Sequence, residues 1–246
     1  MLKDYQDAFG HELYDYWKSD RRRPIMEIVE RDDGYIDVSG GPESYFSEFR
    51  NWPPHQKKAM RYARGSVLDI GSGAGRHSLY LQRKGLEVMG IDNSPLAIEV
   101  CKLRGLKNIS ITSINQIDSR LGIFDTVLMM GNNFGLFGSF ESARRLLKKL
   151  SRITSERGRI IAETNDVYKT ENPDHLSYHK LNRQKGRMGG QIRIRVRYKK
   201  FTTPWFDYLI VSKEEMENIL YGTDWHINRF IESESSVYIT IIDKKS

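Results

Sequence analysis

Residues 67–77 run Val67-Leu68-Asp69-Ile70-Gly71-Ser72-Gly73-Ala74-Gly75-Arg76-His77. The apolar start, Val67 to Ile70, predicts a buried strand. Three glycines at every second position then predict a tight turn, and Leu79, Tyr80 and Leu81 begin an apolar-periodic helix behind it. Glycine suits such a turn because a side chain would keep the backbone away from a ligand. The helix start beyond it offers unpaired N–H groups. A dinucleotide site would want Gly-x-Gly-x-x-Gly, whose last glycine would fall on Arg76. Here an acid, Asp69, accompanies the glycines instead. It disfavours a pyrophosphate and suits a cationic ligand.

A second strand, Glu87 to Asp92, ends on an acid 21 residues after Gly71. That is the strand tip where a ribose would meet it, and the two carboxylate oxygens can accept from both ribose hydroxyls. Asn93-Ser94-Pro95 opens another helix, with Ser94 as its cap. A third strand spans Asn108 to Thr112, followed by Ile114 and Asn115. A fourth, Phe124 to Met130, ends in Gly131-Asn132-Asn133-Phe134-Gly135, a polar and glycine-rich mouth. Loops at the carboxyl ends of parallel strands are where such sheets bind ligands.

The series Asp-x-Gly-x-Gly-x-Gly from Asp69 to Gly75, with Asp92 behind it, resembles motif I of the class I S-adenosylmethionine-dependent methyltransferases. The resemblance is carried by residues 65–165 and is weak over the first 64 residues and over 166–211. It implies S-adenosyl-L-methionine held by Asp69, Gly71, Ser72, Gly73, Gly75, Asp92, Asn93, Ile114, Asn115 and Met130. Asn115 stands where the family usually has an aspartate that accepts from the adenine amino group; an amide oxygen can accept the same bond. The resemblance also implies an α/β fold with a Rossmann-like, mostly parallel methyltransferase sheet of seven strands, the last one antiparallel. An N-terminal helical cover and a β-rich insertion after the fifth strand complete the expectation.

The expected organisation is an N-terminal cover, 1–64, and a methyltransferase domain, 65–246, with an insertion at 166–211. The cover is rich in aromatics; Tyr5, Tyr14, Tyr16 and the Trp52-Pro53-Pro54-His55 elbow are the candidates for shielding the sulfonium. Glu141 to Thr154 predicts an amphipathic helix, broken at Arg157-Gly158, before a fifth strand at Arg159 to Glu163. Ser212-Lys213-Glu214-Glu215 is a capping-box start. Trp225 to Ile231 and Val237 to Ile242 predict a closing antiparallel pair.

From Arg183 to Lys200 there are eight basic residues and no acid, more than the whole chain's net charge of +7. Gln191 to Tyr198 alternates arginine with apolar residues, a strand with one cationic face. That face is either a solvated surface or a surface for an anion. Arg193, Arg195 and Arg197, with Asn132 and Asn133, are the candidate substrate-binding residues. His175, Tyr178 and His179 are the candidates for a base, which is needed only if the acceptor must lose a proton.

The expected acceptor is a small molecule, an anionic one if the arginines face it. The alternatives are RNA or protein docked on the strand 191–200, or a nucleotide-binding module without catalysis. The mouth after the fourth strand lacks the Asp/Asn-Pro-Pro-aromatic motif of exocyclic base methylation, and no acids follow that strand, so no metal is expected. No apolar run approaches the roughly 18 residues of a membrane helix, and no membrane partner is expected. The single cysteine, Cys101, is expected in the core, and cysteine usage fits the cytoplasm.

Overall fold

The structure is a computed structural model that describes residues 2–19 and 25–245. A seven-stranded sheet has the order β11-β12-β7-β6-β3-β4-β5. Its strands are β3 (Ser66–Ile70), β4 (Glu87–Asp92), β5 (Asn108–Ile111), β6 (Phe124–Met129), β7 (Thr154–Asn165), β11 (Trp225–Glu232) and β12 (Val237–Lys244). β4 pairs β5 and β6 pairs β7 in parallel. β12, the last strand in the chain, runs antiparallel to both its neighbours, as expected. The inner strands bury mostly apolar side chains on both faces, as a covered sheet requires, and place buried acids, Asp69, Asp92 and Glu163, at or near their carboxyl ends.

The helix expected from Glu141 stops earlier than its pattern suggests. It spans Phe140–Arg152 (α6), with the Ser139 hydroxyl accepting from the Ser142 N–H. Thr154 Oγ1 donates to the Leu150 and Ser151 carbonyls, and Lys244 Nζ donates to those of Ser151 and Thr154. These side chains close the helix end, so the chain enters β7 at once. Gly158 therefore lies inside a strand rather than at a break. A Cβ there would come within 2.7 Å of the Thr154 Cβ, and the ladder to β6 shifts register nearby.

The N-terminal region is not helical alone. After α1 (Ala8–Lys18) come β1 (Glu27–Arg31) and β2 (Ile36–Ser39), then α2 (Glu43–Phe46) and α3 (Pro54–Ala59). β1 and β2 form a hairpin closed by an Arg31–Asp33 ion pair and by Gly34 at φ +91°. The insertion supplies α7 (Pro173–Gln184), β8 (Gln191–Tyr198), β9 (Phe201–Thr202) and β10 (Phe206–Leu209). β8 pairs antiparallel with β1, so extension and insertion share a second sheet, ordered β10-β8-β1-β2 with β9 beside β8. α8 (Lys213–Leu220) starts at the expected capping box, Ser212 with Glu215.

By their internal contacts the residues fall into two compact units. One comprises Met1–Trp52, Leu68–Gln116 and Ile194–Phe206; the other comprises Pro53–Val67, Ile117–Arg193 and Asp207–Ser246. Among the described residues no helix is long and apolar enough to cross a membrane.

Candidate functional site

In the first unit the glycine turn joins β3 to α4 (Arg76–Arg83). Gly71, Gly73 and Gly75 all have positive φ, 72°, 53° and 75°, a region that L side chains avoid. The N–H groups of Gly71 and Ser72 both donate to the Ile91 carbonyl, which ties the turn to β4. Asp69 is buried beneath it and accepts from Ser78 Oγ on α4 at 2.6 Å. Burial lifts its carboxyl to about 6, against the Ser78 bond and with a further push from Asp92. Asp69 thus orders the turn from below.

Asp92 closes the other side. Its Oδ2 accepts from the Gly73 N–H and its Oδ1 from the Ser94 N–H, both at 3.0 Å. Burial raises its pKa, and these backbone donors pull it back. Each oxygen keeps a further lone pair for a hydroxyl donor. Ser94 caps α5 (Pro95–Leu103) through the Ala97 N–H, as expected, while Asp92 stays outside the helix. Asn93 is exposed beside it, Ile114 is buried, and Asn115 is exposed on a short 3-10 turn.

The ring over this turn is Phe9, not one of the expected tyrosines. A Cβ on Gly73 would lie 3.6 Å from Phe9 Cζ. Tyr5 is exposed, Tyr14 partly buried, and Tyr16 packs on Phe46. α1 is fastened by Asp7, whose carboxylate accepts from the Gly10 N–H of α1 and the Leu96 N–H of α5. The signal was present in the sequence: Asp7 and Gly10 have the spacing of an N-cap and the residue it caps.

The arginine strand has two distinct faces. Arg195 stands opposite Glu30 and Arg197 opposite Ile28, while Val196 stands opposite Val29. Val196 and Tyr198 pack with Ala8 of α1, so Arg195 and Arg197 point away from α1. Both bind Glu30, Arg195 with two bonds of 2.9 Å and Arg197 at 3.2 Å. Arg195 also lies 4.5 Å over the Trp205 ring, and Lys199 pairs with Asp15. Arg193 is exposed.

In the second unit Met130 is buried at the end of β6 and Gly131 follows at φ +69°. Asn132 holds a left-handed backbone at φ 63°, rare for a residue with a side chain. The Tyr208 hydroxyl donates to its carbonyl. Its own Oδ1 is buried without a hydrogen-bond partner among the described residues. Asn132 thus combines a strained backbone with an unanswered buried acceptor. Asn133 opens the 3-10 turn that follows.

Glu163, at the end of β7, escaped the sequence reading. It is buried; both its oxygens accept from Gln56 Nε2, at 2.9 and 3.1 Å, and Oε2 also accepts from the Gly131 N–H at 2.7 Å. His55 Nε2 lies 3.7 Å from Oε1. Glu163 therefore positions the mouth and the elbow helix α3 together. The expected base candidates are held by structure: His175 Nδ1 meets Thr170 Oγ1, the Tyr178 hydroxyl accepts from the Arg193 N–H, and His179 packs edge-on to Tyr168. Among the described residues no group of three or more His, Cys, Asp or Glu is placed to hold a metal.

Residues 67–158 match the family described as "Methyltransferase domain". Over 100% of this chain and 98% of the other, the fold superimposes on a SAM-dependent methyltransferase from Bacteroides fragilis in complex with S-adenosyl-L-homocysteine, with a TM-score of 0.82 and 25% identity. Residues 67–158 thus carry a methyltransferase domain, and the chain as a whole is similar to the class I S-adenosylmethionine-dependent methyltransferases. Its cofactor is S-adenosylmethionine, and the open glycine turn and the spare lone pairs of Asp92 fit that group. Among curated relatives this methyltransferase is 24% identical over 189 residues to a glycine/sarcosine N-methyltransferase of Parasynechococcus marenigrum. That match takes in 74% of this chain and 61% of the relative. It is 31% identical over 104 residues to a tRNA (uracil(54)-C(5))-methyltransferase of Pyrococcus horikoshii, taking in 39% of this chain and 23% of the relative.

Proposed function

We propose that the protein transfers a methyl group from S-adenosylmethionine to a small molecule. The observation that carries this reading is the cradle of Gly71, Gly73 and Asp92 roofed by Phe9 on α1. A roof docked through a buried carboxylate would shield a bound cofactor from water and stand in the way of a duplex. When bound, the cofactor supplies an activated methyl group on a sulfonium. The chain's residues then need to align and desolvate the acceptor. Asp92 would take the ribose hydroxyls through the lone pairs its backbone donors leave free.

RNA is the second reading, favoured by the outward turn of Arg195 and Arg197. Their charge is weakened by Glu30, and that of Lys199 by Asp15. Methylation at carbon-5 of a pyrimidine has a further requirement, since that carbon needs a nucleophile added to the ring first. The chain's single cysteine cannot serve: Cys101 is buried, its Sγ donates to the Gly73 carbonyl at 3.1 Å, and burial lifts it to about 12. The thiolate is the nucleophilic form.

The test is to incubate the protein with methyl-labelled S-adenosylmethionine and, separately, the small-molecule and RNA fractions of a cell extract. Label in the small-molecule fraction is expected. Label in RNA, with binding that weakens steeply with salt and is lost in Arg193→Ala/Arg195→Ala/Arg197→Ala, would overturn the choice.

A further inference from the structure

The seam between α1 and the second sheet holds two acids that the cradle does not use. Glu27 on β1 lies on the same face as Val29, the face turned toward α1. Glu12 is one helical turn beyond Ala8 on α1 and is fully buried, at 0% exposure. Neither of its carboxyl oxygens has a hydrogen-bond partner among the described residues. Glu27 is better provided: Tyr45 Oη donates to Oε2 at 3.1 Å and Ser39 Oγ to Oε1 at 3.3 Å. The charged groups of the surrounding elements give Glu12 no support. Glu27, and behind it Asp37 on β2, add negative charge. On α1 itself, Asp15 accepts from Tyr198 and Lys199, and His11 pairs with Asp4 and stacks on Phe201. Asp7, just before α1, accepts from the Gly10 and Leu96 N–H groups. Arg104, at the end of α5, donates to the Ala74 and Tyr45 carbonyls and lies over the Phe46 ring.

A carboxyl in this place keeps its proton while the seam is closed. The ionised form would lose its hydration and gain neither donor nor cation in return. Burial, then Glu27, pushes the Glu12 pKa up from 4.5 to about 9. Once α1 lifts, water reaches the carboxyl and it ionises at its ordinary value. Between those two values, closing the seam takes up a proton and opening it releases one. The same helix covers the cofactor turn. Phe9 of α1 stands over Gly73, and its ring meets the Tyr45 ring edge-on at 5.2 Å. Two features hold α1 down against the acid: Leu13 and Tyr16 pack with Phe46, Ala74, Ala97 and Val100, and Asp7 ties the helix to α5. An apolar side chain at position 12 would favour the closed seam at every pH. The acid makes closure depend on a proton.

We propose that α1 is a cover that opens for cofactor exchange, and that Glu12 is its proton latch, so that cofactor binding draws a proton from solution. This rests on the reading above that the glycine turn and Asp92 seat the cofactor. Nothing enters the seam; α1 alone moves. In the open state the Glu12 carboxylate stands in water. On closing it takes a proton from solvent and forms an O–H bond, and no other bond changes. The closed helix holds the cofactor against the turn, so affinity follows the closing equilibrium. Raising the pH withdraws the proton that closure needs. Affinity is therefore greatest at the acid end and declines as the pH rises toward 9.

The experiment is titration calorimetry with S-adenosylhomocysteine at pH 8, in two buffers of different ionisation enthalpy, which counts the protons taken up on binding. Wild type is compared with Glu12→Gln and Glu12→Met. Neither variant can carry the charge, and methionine keeps the volume if the glutamine amide strains the seam. Asp69 and Asp92 are present in all three proteins, so the difference from wild type is the reading. Wild type should take up about one proton more than either variant. Its affinity should fall about tenfold from pH 7 to pH 8, against less than about twofold in the variants. Without ligand at pH 8, hydrogen exchange of the α1 amides should be at least about tenfold faster in wild type than in the variants, with the amides of β6 and β7 unchanged. Equal proton counts, or equal exchange of α1 in all three, would overturn the latch. If the wild type does not bind S-adenosylhomocysteine at all, the cradle reading itself fails, and the exchange of α1 alone decides the latch.

Discussion

The cradle and the seam of α1, β1 and β8 are built by opposite means. In the cradle, backbone geometry does the work: three glycines at positive φ, N–H groups aimed at Asp92, and one acid below the turn. At that seam, side chains do it, with carboxyls inward on Glu12 of α1 and Glu27 of β1 and guanidinium groups outward on Arg195 and Arg197 of β8. A backbone site is written in consecutive residues. A sheet face is decided only when a partner strand fixes which way each side chain turns.

The comparison breaks first at Asp92. Asp92→Ala removes the ribose acceptor and leaves two N–H groups of the cradle unanswered. Affinity for S-adenosylhomocysteine, measured by titration calorimetry, should fall about 100-fold, or about 2.7 kcal/mol. Unchanged affinity would show that the cradle binds without its acid.

Gly10→Ala probes the seam between α1 and α5. Alanine gains about 1 kcal/mol of helix propensity, but its Cβ would lie 2.3 Å from Ser94 Oγ and 2.5 Å from the Asp7 carboxylate. Overpacking costs about 1–3 kcal/mol, and a clash this deep against two anchored groups wins. A net loss of about 1–2 kcal/mol in denaturant unfolding is expected. A gain in stability would mean that the cover is looser than the seam implies.

The inner face predicts a pH signature. Burial, then Glu27, raises Glu12 from 4.5 to about 9. The folded protein therefore keeps a proton that the unfolded chain releases above about 4.5. Stability is fully present below that pH and declines as pH rises toward 9. Unfolding curves from pH 5 to 9 should show the decline in wild type and a flatter course in Glu12→Gln. Equal slopes would remove the charge burden assigned to the inner face.

The outer face should respond least. Arg197 is about half exposed, and Glu30 keeps Arg195 when it is lost. Arg197→Ala should cost less than about 1 kcal/mol of stability and leave S-adenosylhomocysteine affinity unchanged. A tenfold loss of that affinity would place the outer face in cofactor binding.

The same contrast explains what the sequence discloses. The strand–turn–helix at 67–83 and the Ser94 cap are local signals, and each appears where its residues predict. The hairpin of β1 and β2 was legible in principle, since Asp33-Gly34 is a turn signal. Its charged, half-exposed strands hid it among the aromatics. Glu163 and Gln56 meet across 107 residues, and Glu12 meets Glu27 only after α1 and β1 have packed. No spacing rule reaches such pairs. The alternation of β8 was readable too, but not which of its faces would turn outward, because that depends on its register with β1.

That register gives the sheet a simple evolutionary lever. Each strand carries a two-beat pattern, so inserting or deleting one residue before β8 would exchange its arginine face for its apolar face without changing its composition. A cover lined with acids would then gain a row of guanidinium groups. Within one scaffold, a descendant could reverse the charge that its cover turns inward by a change of phase, leaving every residue of the glycine turn as it was.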